Sequence, residues 1–415
     1  MKLDLTDMLY ALSFALDKVE TELLGIDTGH GKRVAYLALL MGQEAGYREE
    51  ELRDFTGCCL LHDNALTEYI HEEISNSPMS QRLSVNLSDM TDGKRFKMNQ
   101  GHSVIGEQNI RLLPFRTDVK NIILFHHENA DGSGPLGVTA SETTLKSQIL
   151  RLADHIDMAN QLETMTNTKW EELRKWAQSR TGSLFSGEAV ELFLKAVDYD
   201  KIAYLQDKGV LSCLREALPE EILDYSDEEI RNIAGLFAKI VDYKSEFTQN
   251  HSRGVAQKAE IMAHHYGFDD EKAIRYYFAG AMHDIGKLIV SNDILEKQGK
   301  LTDDEFAEMK NHADATHYIL SQIKGISDIA EWAANHHEKL NGTGYPRGLK
   351  AEEISFEDRL MACIDIYQAL TEKRPYKDGM SHEETISLLL DMAHRDELDE
   401  SIVQDMAVVM SNGAV

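Results

Sequence analysis

Apolar residues recur at helical spacing through most of the chain. In "HSRGVAQKAEIMAHHYGF" the residues Val255, Ala259, Met262 and Ala263 fall on one helical face, and Gly267 stands where a helix should stop. "DYSDEEIRNIAGLFAKIVDYK" opens with Ser226 and carries Glu229 three residues on, the pattern of an N-cap closed by a capping box. No series of alternating β-branched segments would build a sheet. With only six prolines, the chain reads as all-α.

The same pattern is written twice. "TGHGKRVAYLALLMGQEAGY" resembles "QNHSRGVAQKAEIMAHHYGF", which sets His30 opposite His251. "LLHDNAL" resembles "AMHDIGK", pairing His62 and Asp63 with His283 and Asp284, and the interval from the first histidine is 32 residues in both halves. "NQGHSVIGEQNI" then matches "MKNHADATHYIL", and "FHHENADGSGPLG" matches "NHHEKLNGTGYPRG". His102 and His126 are thus 24 residues apart, as are His312 and His336. Finally "LADHIDMANQL" matches "CIDIYQALTEK", so Asp154 faces Asp365. Two tandem helical domains are expected, 1–218 and 219–415, with closing helices and a helical connector ending near Pro219. The halves differ between the His-Asp pair and the third histidine, 40 residues against 29, through the polar segment 72–100, expected to be a surface excursion.

Composition narrows the roles. No stretch approaches the roughly 18 to 20 apolar residues that span a bilayer, and the start lacks a signal-peptide pattern, so a cytoplasmic protein with no membrane partner is expected. Cys58, Cys59, Cys213 and Cys363 show no CxxC spacing, which fits a reducing compartment. A formal charge of -28 would repel a nucleic-acid backbone and argues against DNA or RNA as partners. A small anionic substrate is allowed where metals or local cations offset that field.

Residues that keep their intervals while their surroundings drift are chemically constrained. In the second half these are His251, His283, Asp284, His312, His336, His337 and Asp365; in the first, His30, His62, Asp63, His102, His126, His127 and Asp154. Five imidazoles and two carboxylates exceed what one tetrahedral ion uses and suit borderline transition metals. Two divalent ions are expected in the second half, iron or manganese first, with nickel, cobalt and zinc as alternatives, and metal is expected in the first half too. An adjacent His-Asp pair suits a dinuclear centre, because the imidazole can bind one ion while the carboxylate reaches the other. His264 and His265 have no counterparts in the first half and read as ordinary helix residues.

"HSRGVA", "HDIGK", "NHADATHYIL", "HHEKLNGTGYPRG" and "CIDIYQALTEKRPY", in that order over about residues 240 to 395, resemble the HD-GYP family, a branch of the HD-domain metal-dependent phosphohydrolases. The resemblance implies an all-helical fold and a bimetallic or trimetallic site that hydrolyses a cyclic dinucleotide. Cyclic di-GMP, cut to the linear dinucleotide or to GMP, is the first expectation and 3′,3′-cyclic GMP-AMP the alternative. Two metals suit that reaction by lowering the pKa of a bridging water and neutralising phosphoryl charge. Asp284 and Lys287 would be catalytic, Lys287 by sharing a helical face with His283 and stabilising the scissile phosphate. Arg374 and Lys377 would contact substrate phosphates, Tyr345 would line the base pocket, and Gly344 with Gly342 would shape its loop. Asn341 and Gln368 depart from the family's usual Asp at both positions. Phe247 replaces the glutamate of trimetallic members, with Glu246 one residue away, which favours two metals.

The first half keeps every ligand position but has Leu66 in place of the lysine, no tyrosine in "GSGPLG" and nothing like "RPY". It reads as a degenerate, metal-binding module with a regulatory or sensory role. Two other readings of the whole chain stand beside the hydrolase: a di-iron redox or oxygen sensor, or cyclic-dinucleotide signalling protein, with little hydrolysis; and a phosphohydrolase of mononucleotides, against which the GYP loop argues. A homodimer or a contact with a signalling protein is left open by the sequence.

Overall fold

Both helices argued from periodicity form, with the ends that local chemistry dictates. His251–His265 is one helix, followed by Gly267 in the left-handed region at φ 71°. Asp227–Asp242 is another, and the Ser226 Oγ accepts from Glu229 N while the Glu229 carboxylate accepts from Ser226 N at 2.8 Å. Two of the helix's orphan N-terminal donors are thereby satisfied.

The computed structural model describes residues 1–24, 29–75, 92–159, 162–245, 250–297, 299–373 and 378–412. Among them are nineteen α-helices and a single ribbon of two two-residue strands, Lys2–Leu3 antiparallel to Leu223–Asp224. The fold is all-α. Two compact units make up the chain: Asp4–Ile222, and Leu223–Val415 together with Met1–Leu3. That division falls four residues beyond the 218/219 boundary drawn from the sequence. Among the described residues no helix is long and apolar enough to cross a membrane.

In the first unit the helix His30–Glu44 is buried from His30 through Gly42, because it packs against Glu49–Leu60 and Leu145–Ala159. A helix enclosed on all faces must be apolar throughout or pair its polar groups. Cys58 and Cys59 are buried free thiols on Glu49–Leu60, filling that core as small apolar residues do. The polar segment 72–100 is entered by Leu66–Ser75 and left by Asp92–Ile110, while 76–91 lie outside the described residues.

The second unit repeats the plan. His251–His265 packs on Asp270–Met282 and on Phe356–Thr371, and the 3₁₀ turn Ile285–Ile289 lies against the helix Asp303–Ser321. Gly286 makes that last contact possible, since a Cβ there would meet the His312 carbonyl oxygen at 1.9 Å. Ser226→Ala removes one reciprocal cap and should cost about 1 kcal/mol of the second unit's stability. Urea unfolding should show this as a lower midpoint with an unchanged slope.

Candidate metal centre and catalytic site

Each helix delivers its histidine at an end or on a buried face. His251 begins its helix, His283 follows Met282 at the end of another, and His312 lies buried within Asp303–Ser321. His336 and His337 follow the helix Ser327–Ala334 after one intervening residue. Asp365 is buried in Phe356–Thr371. All seven predicted ligands meet.

Asp284 is the centre of the cluster. Its Oδ2 lies 3.1 Å from His283 Nε2 and 3.8 Å from His251 Nε2, and its Oδ1 lies 3.6 Å from His312 Nε2 and 3.9 Å from His336 Nε2. One carboxylate thus faces two sets of imidazoles. Asp365 completes the group, with Oδ1 at 2.9 Å from His251 and 3.6 Å from His283, and Oδ2 at 3.8 Å from His337 Nδ1. Backbone carbonyls set the tautomers: the Nδ1 atoms of His283, His312 and His336 contact the Gly280, Met309 and Ala333 oxygens at 2.7, 2.6 and 2.6 Å. With Nδ1–H donated there, each Nε2 turns a lone pair inward.

The first unit holds the same arrangement. Asp63 reaches His102 at 3.2 Å and His126 at 3.7 Å through Oδ1, and His62 at 3.6 Å through Oδ2. Asp154 Oδ1 lies 3.3 Å from His30 and 3.9 Å from His62, and His127 Nε2 lies 3.0 Å from His102 Nε2. His62, His102 and His126 again place Nδ1 on backbone carbonyls, those of Cys59, Met98 and Ile123.

Family models described as HD domain match residues 28–159 and 235–402. A 3′3′-cGAMP-specific phosphodiesterase of Vibrio cholerae is 30% identical over 96% of this chain and 90% of its own length. The chain belongs to the HD-domain phosphohydrolases, in their HD-GYP branch. A cyclic di-GMP phosphodiesterase of Pseudomonas aeruginosa is 38% identical, over 45% of each chain. In architecture, the crystal structure of a cyclic GMP-AMP specific phosphodiesterase from V. cholerae is similar with a TM-score of 0.65 and 25% identity, covering 99% of this chain and 98% of that one.

The residues of this HD-domain protein fit divalent metal. Among the described residues, His283 Nε2, His312 Nε2, His336 Nε2 and Asp284 Oδ1 are buried without a hydrogen-bond partner, as are His62 Nε2, Asp63 Oδ1 and both Asp154 oxygens in the first unit. Inward lone pairs beside buried anions are costly unless a cation joins them. His283 with Asp284 and His336, His251 with His283 and Asp365, and His312 with His336 and His337 each bring their donor atoms within 4.8 Å of one another.

Protonation matches that demand. Burial alone would raise the Asp284 carboxyl, yet His283 and Lys287 hold it well below the usual carboxylate range. Asp365 is likewise held low, against burial, by its hydrogen bond to His251. Burial pushes His336 well below the ordinary imidazole value and His337 down to about 3, so both are neutral at pH 7. Neutral imidazoles beside anionic carboxylates are what a metal requires.

Lys287 enters the cluster by a different route from the one its spacing suggests. The α-helix ends at Met282, and Ile285–Ile289 is a 3₁₀ turn, so no α-helical face joins Lys287 to His283. The turn instead carries the ammonium to Asp284 Oδ2 at 2.6 Å. In the first unit the matching Leu66 is buried, packed with Met98. Tyr345 lies at the edge of the cluster, its ring 4.7 Å from that of His337 and tilted 41° to it, with the half-exposed Phe306 ring at 6.2 Å. Gly344 serves the loop by close approach: a Cβ there would meet Lys339 N at 2.4 Å. Gly342 adopts φ 76°. Arg374, Lys377, Glu246 and Phe247 lie outside the described residues.

Several supporting groups were not singled out from the sequence. Glu338, directly after the paired histidines, accepts from the Arg347, Gly348 and Leu349 amides at 2.7, 3.0 and 2.9 Å and so holds the GYP loop closed on its stem. Glu128 does the same for Leu136 and Val138. The glutamate in both "HHEN" and "HHEK" was its only signal. Thr316 Oγ accepts from Gly286 N and donates to the His283 carbonyl, each at 3.0 Å, pinning the His-Asp turn to the next helix.

Acidification tests this electrostatic picture. His126, His127, His312, His336 and His337 all have folded values below 6.5, chiefly through burial. The unfolded chain therefore binds more protons below about pH 6.5, and stability falls as the pH is lowered. His251, raised to about 9 by Asp365 and Glu372 against burial, contributes fully below 6.5 and is lost only toward alkaline pH. Asp242, raised to about 7 by burial, opposes the imidazoles, as do Asp54 and Asp358, which burial also raises, while His155, lowered by burial, adds to them. With chelator present, Tm should drop from pH 7 to pH 5; a flat profile would contradict buried neutral imidazoles. Asp284→Ala should lose the metal bound by the second unit, measured by elemental analysis.

Proposed function

We propose that the second unit hydrolyses a cyclic dinucleotide at this dinuclear centre, with 3′,3′-cyclic GMP-AMP preferred over cyclic di-GMP. The cluster around Asp284, with the Lys287 ammonium directed into it, carries the reaction class. The base preference rests on coverage. Two relatives and one solved structure that match across both units are specific for cyclic GMP-AMP, whereas the cyclic di-GMP phosphodiesterase of P. aeruginosa matches 45% of the chain.

His251, His283, His312, His336, His337, Asp365 and Asp284 would hold two ions, iron or manganese. The chemistry such ions supply is an activated water and charge neutralisation at the phosphodiester. Lys287 donates to a phosphoryl oxygen beside Asp284, adding a charge that develops its full worth in this dry site. Tyr345 offers its face to a purine over His337, a contact that tolerates either base. By family resemblance, Arg374 and Lys377 would contact the remaining phosphate, supplying cations within an acidic chain.

The first unit, with Leu66 packed where Lys287 would stand, binds metal in a regulatory or sensory role. Oxo-bridged diferric absorption that bleaches on reduction would favour a redox role for either centre.

Chromatography after anaerobic incubation with Fe(II) or Mn(II) decides the substrate. Cyclic GMP-AMP should be linearised faster than cyclic di-GMP, and Asp284→Ala should be inert. Equal or reversed rates would remove the base preference; turnover by Asp284→Ala would remove the site. Lys287→Ala should retain metal and slow turnover by about 10²-fold. His62→Ala should leave hydrolysis intact, and its loss would make the first unit part of the catalytic machinery or its control.

A further inference from the structure

The two modules hold their first histidine by different means. In the first, His30 Nδ1 lies 2.7 Å from Asp157 Oδ2, and Asp157 is itself clamped by Arg33, with Nε at 2.7 Å and Nη2 at 3.0 Å. The repeat places Gln368 opposite Asp157, Gly254 opposite Arg33 and Lys258 opposite Leu37. An arginine cannot occupy position 254 beside this glutamine, because even a Cβ there would lie 2.3 Å from the Gln368 amide. Gln368 accepts from Lys258 Nζ at 2.8 Å, and an amide oxygen so engaged is a poor substitute for a carboxylate at His251.

His251 Nδ1 faces another carboxylate instead, Glu372 Oε2, at 3.3 Å. The contact is not aligned as a hydrogen bond, and neither buried atom has a hydrogen-bond partner among the described residues. Glu372 follows Gln368 by four residues at the end of Phe356–Thr371, so it lies one turn further along the same face. The first module has Gln161 at the position matching Glu372. Carboxylate and glutamine have exchanged places between the modules.

We infer that Glu372 is the positioning residue for His251, replacing at one turn's distance the carboxylate that Asp157 supplies to His30. An imidazole that ligates through Nε2 needs its Nδ1 proton held by an acceptor. His283, His312 and His336 use backbone carbonyls for this, whereas the first histidine of each module uses a side-chain carboxylate. Glu372 therefore fixes the ring of His251 toward Asp365 and keeps the tautomer that leaves Nε2 free to bind. This inference rests on the metal reading of the second cluster.

Full-length protein carrying Asp63→Ala, which disables the first cluster, isolates the second. Mn(II) affinity is measured by competition with a chromophoric chelator for this parent, for Glu372→Gln, and for Glu372→Gln combined with Gln368→Asp. Tm in excess chelator checks that the isosteric change leaves the fold intact. Glu372→Gln should weaken Mn(II) binding by about 10- to 100-fold, and relocating the carboxylate to position 368 should restore most of it. Unchanged affinity in Glu372→Gln, or a loss that the relocated carboxylate does not repair, overturns the assignment. Protein with both clusters intact that binds Mn(II) tightly yet cleaves no cyclic dinucleotide would sink the proposed reaction instead, leaving the Glu372 comparison decisive on its own. A parent that binds no Mn(II) overturns both.

Discussion

Backbone carbonyls decide which nitrogen of each histidine faces the cluster, and the rest of the site depends on that choice. Gly280, Met309 and Ala333 take the Nδ1 protons of three imidazoles, and the helices that carry those carbonyls are the core of the second unit. The lone pairs then converge on Asp284, a carboxylate too deeply buried to stay charged without cationic company. Folding and metal binding are therefore one problem. The packed helices preset the donors, and the cost of burying those donors is offset when a cation joins them.

Duplication left this ligand set intact and let its surroundings diverge. Asp63 in the first unit touches His62, His102 and His126, the counterparts of three of the four imidazoles that Asp284 touches in the second, through the corresponding oxygens. What differs is chemistry directed at a substrate: an ammonium at 287 against a packed leucine at 66, a tyrosine over His337 against none in "GSGPLG". On the proposed reading, metal holding and phosphate gripping are separable within one fold, as sites grafted on a common scaffold are. Carboxylates that steady the first histidine have moved as well, from Asp157 to Glu372.

The converging histidines and aspartates were legible because duplication kept their intervals, and the all-helical fold because periodicity, caps and the stop at Gly267 agree. Lys287 was legible as a residue but not in its geometry, since the spacing of "HDIGK" suits an α-helix that in fact ends at Met282. Its approach to Asp284 depends on a 3₁₀ turn admitted by Gly286 against His312, a contact between segments distant in sequence. The same limit hid the groups that cap the first histidine's helix. Asp17 accepts from Gly31 N and Asp242 from Ser252 N, but they precede their histidines by 13 and 9 residues, so no repeat aligns them. Three-dimensional closure, rather than spacing, assigns such partners.

The most direct test of the dinuclear centre is anomalous scattering from crystals of the Mn(II)-reconstituted protein. Two peaks in the second unit, with Asp284 between them and the Nε2 atoms of His283, His312 and His336 directed at them, are the predicted result. A fully loaded crystal with a single peak, or with density held by Nδ1 rather than Nε2 of those three rings, would contradict the account.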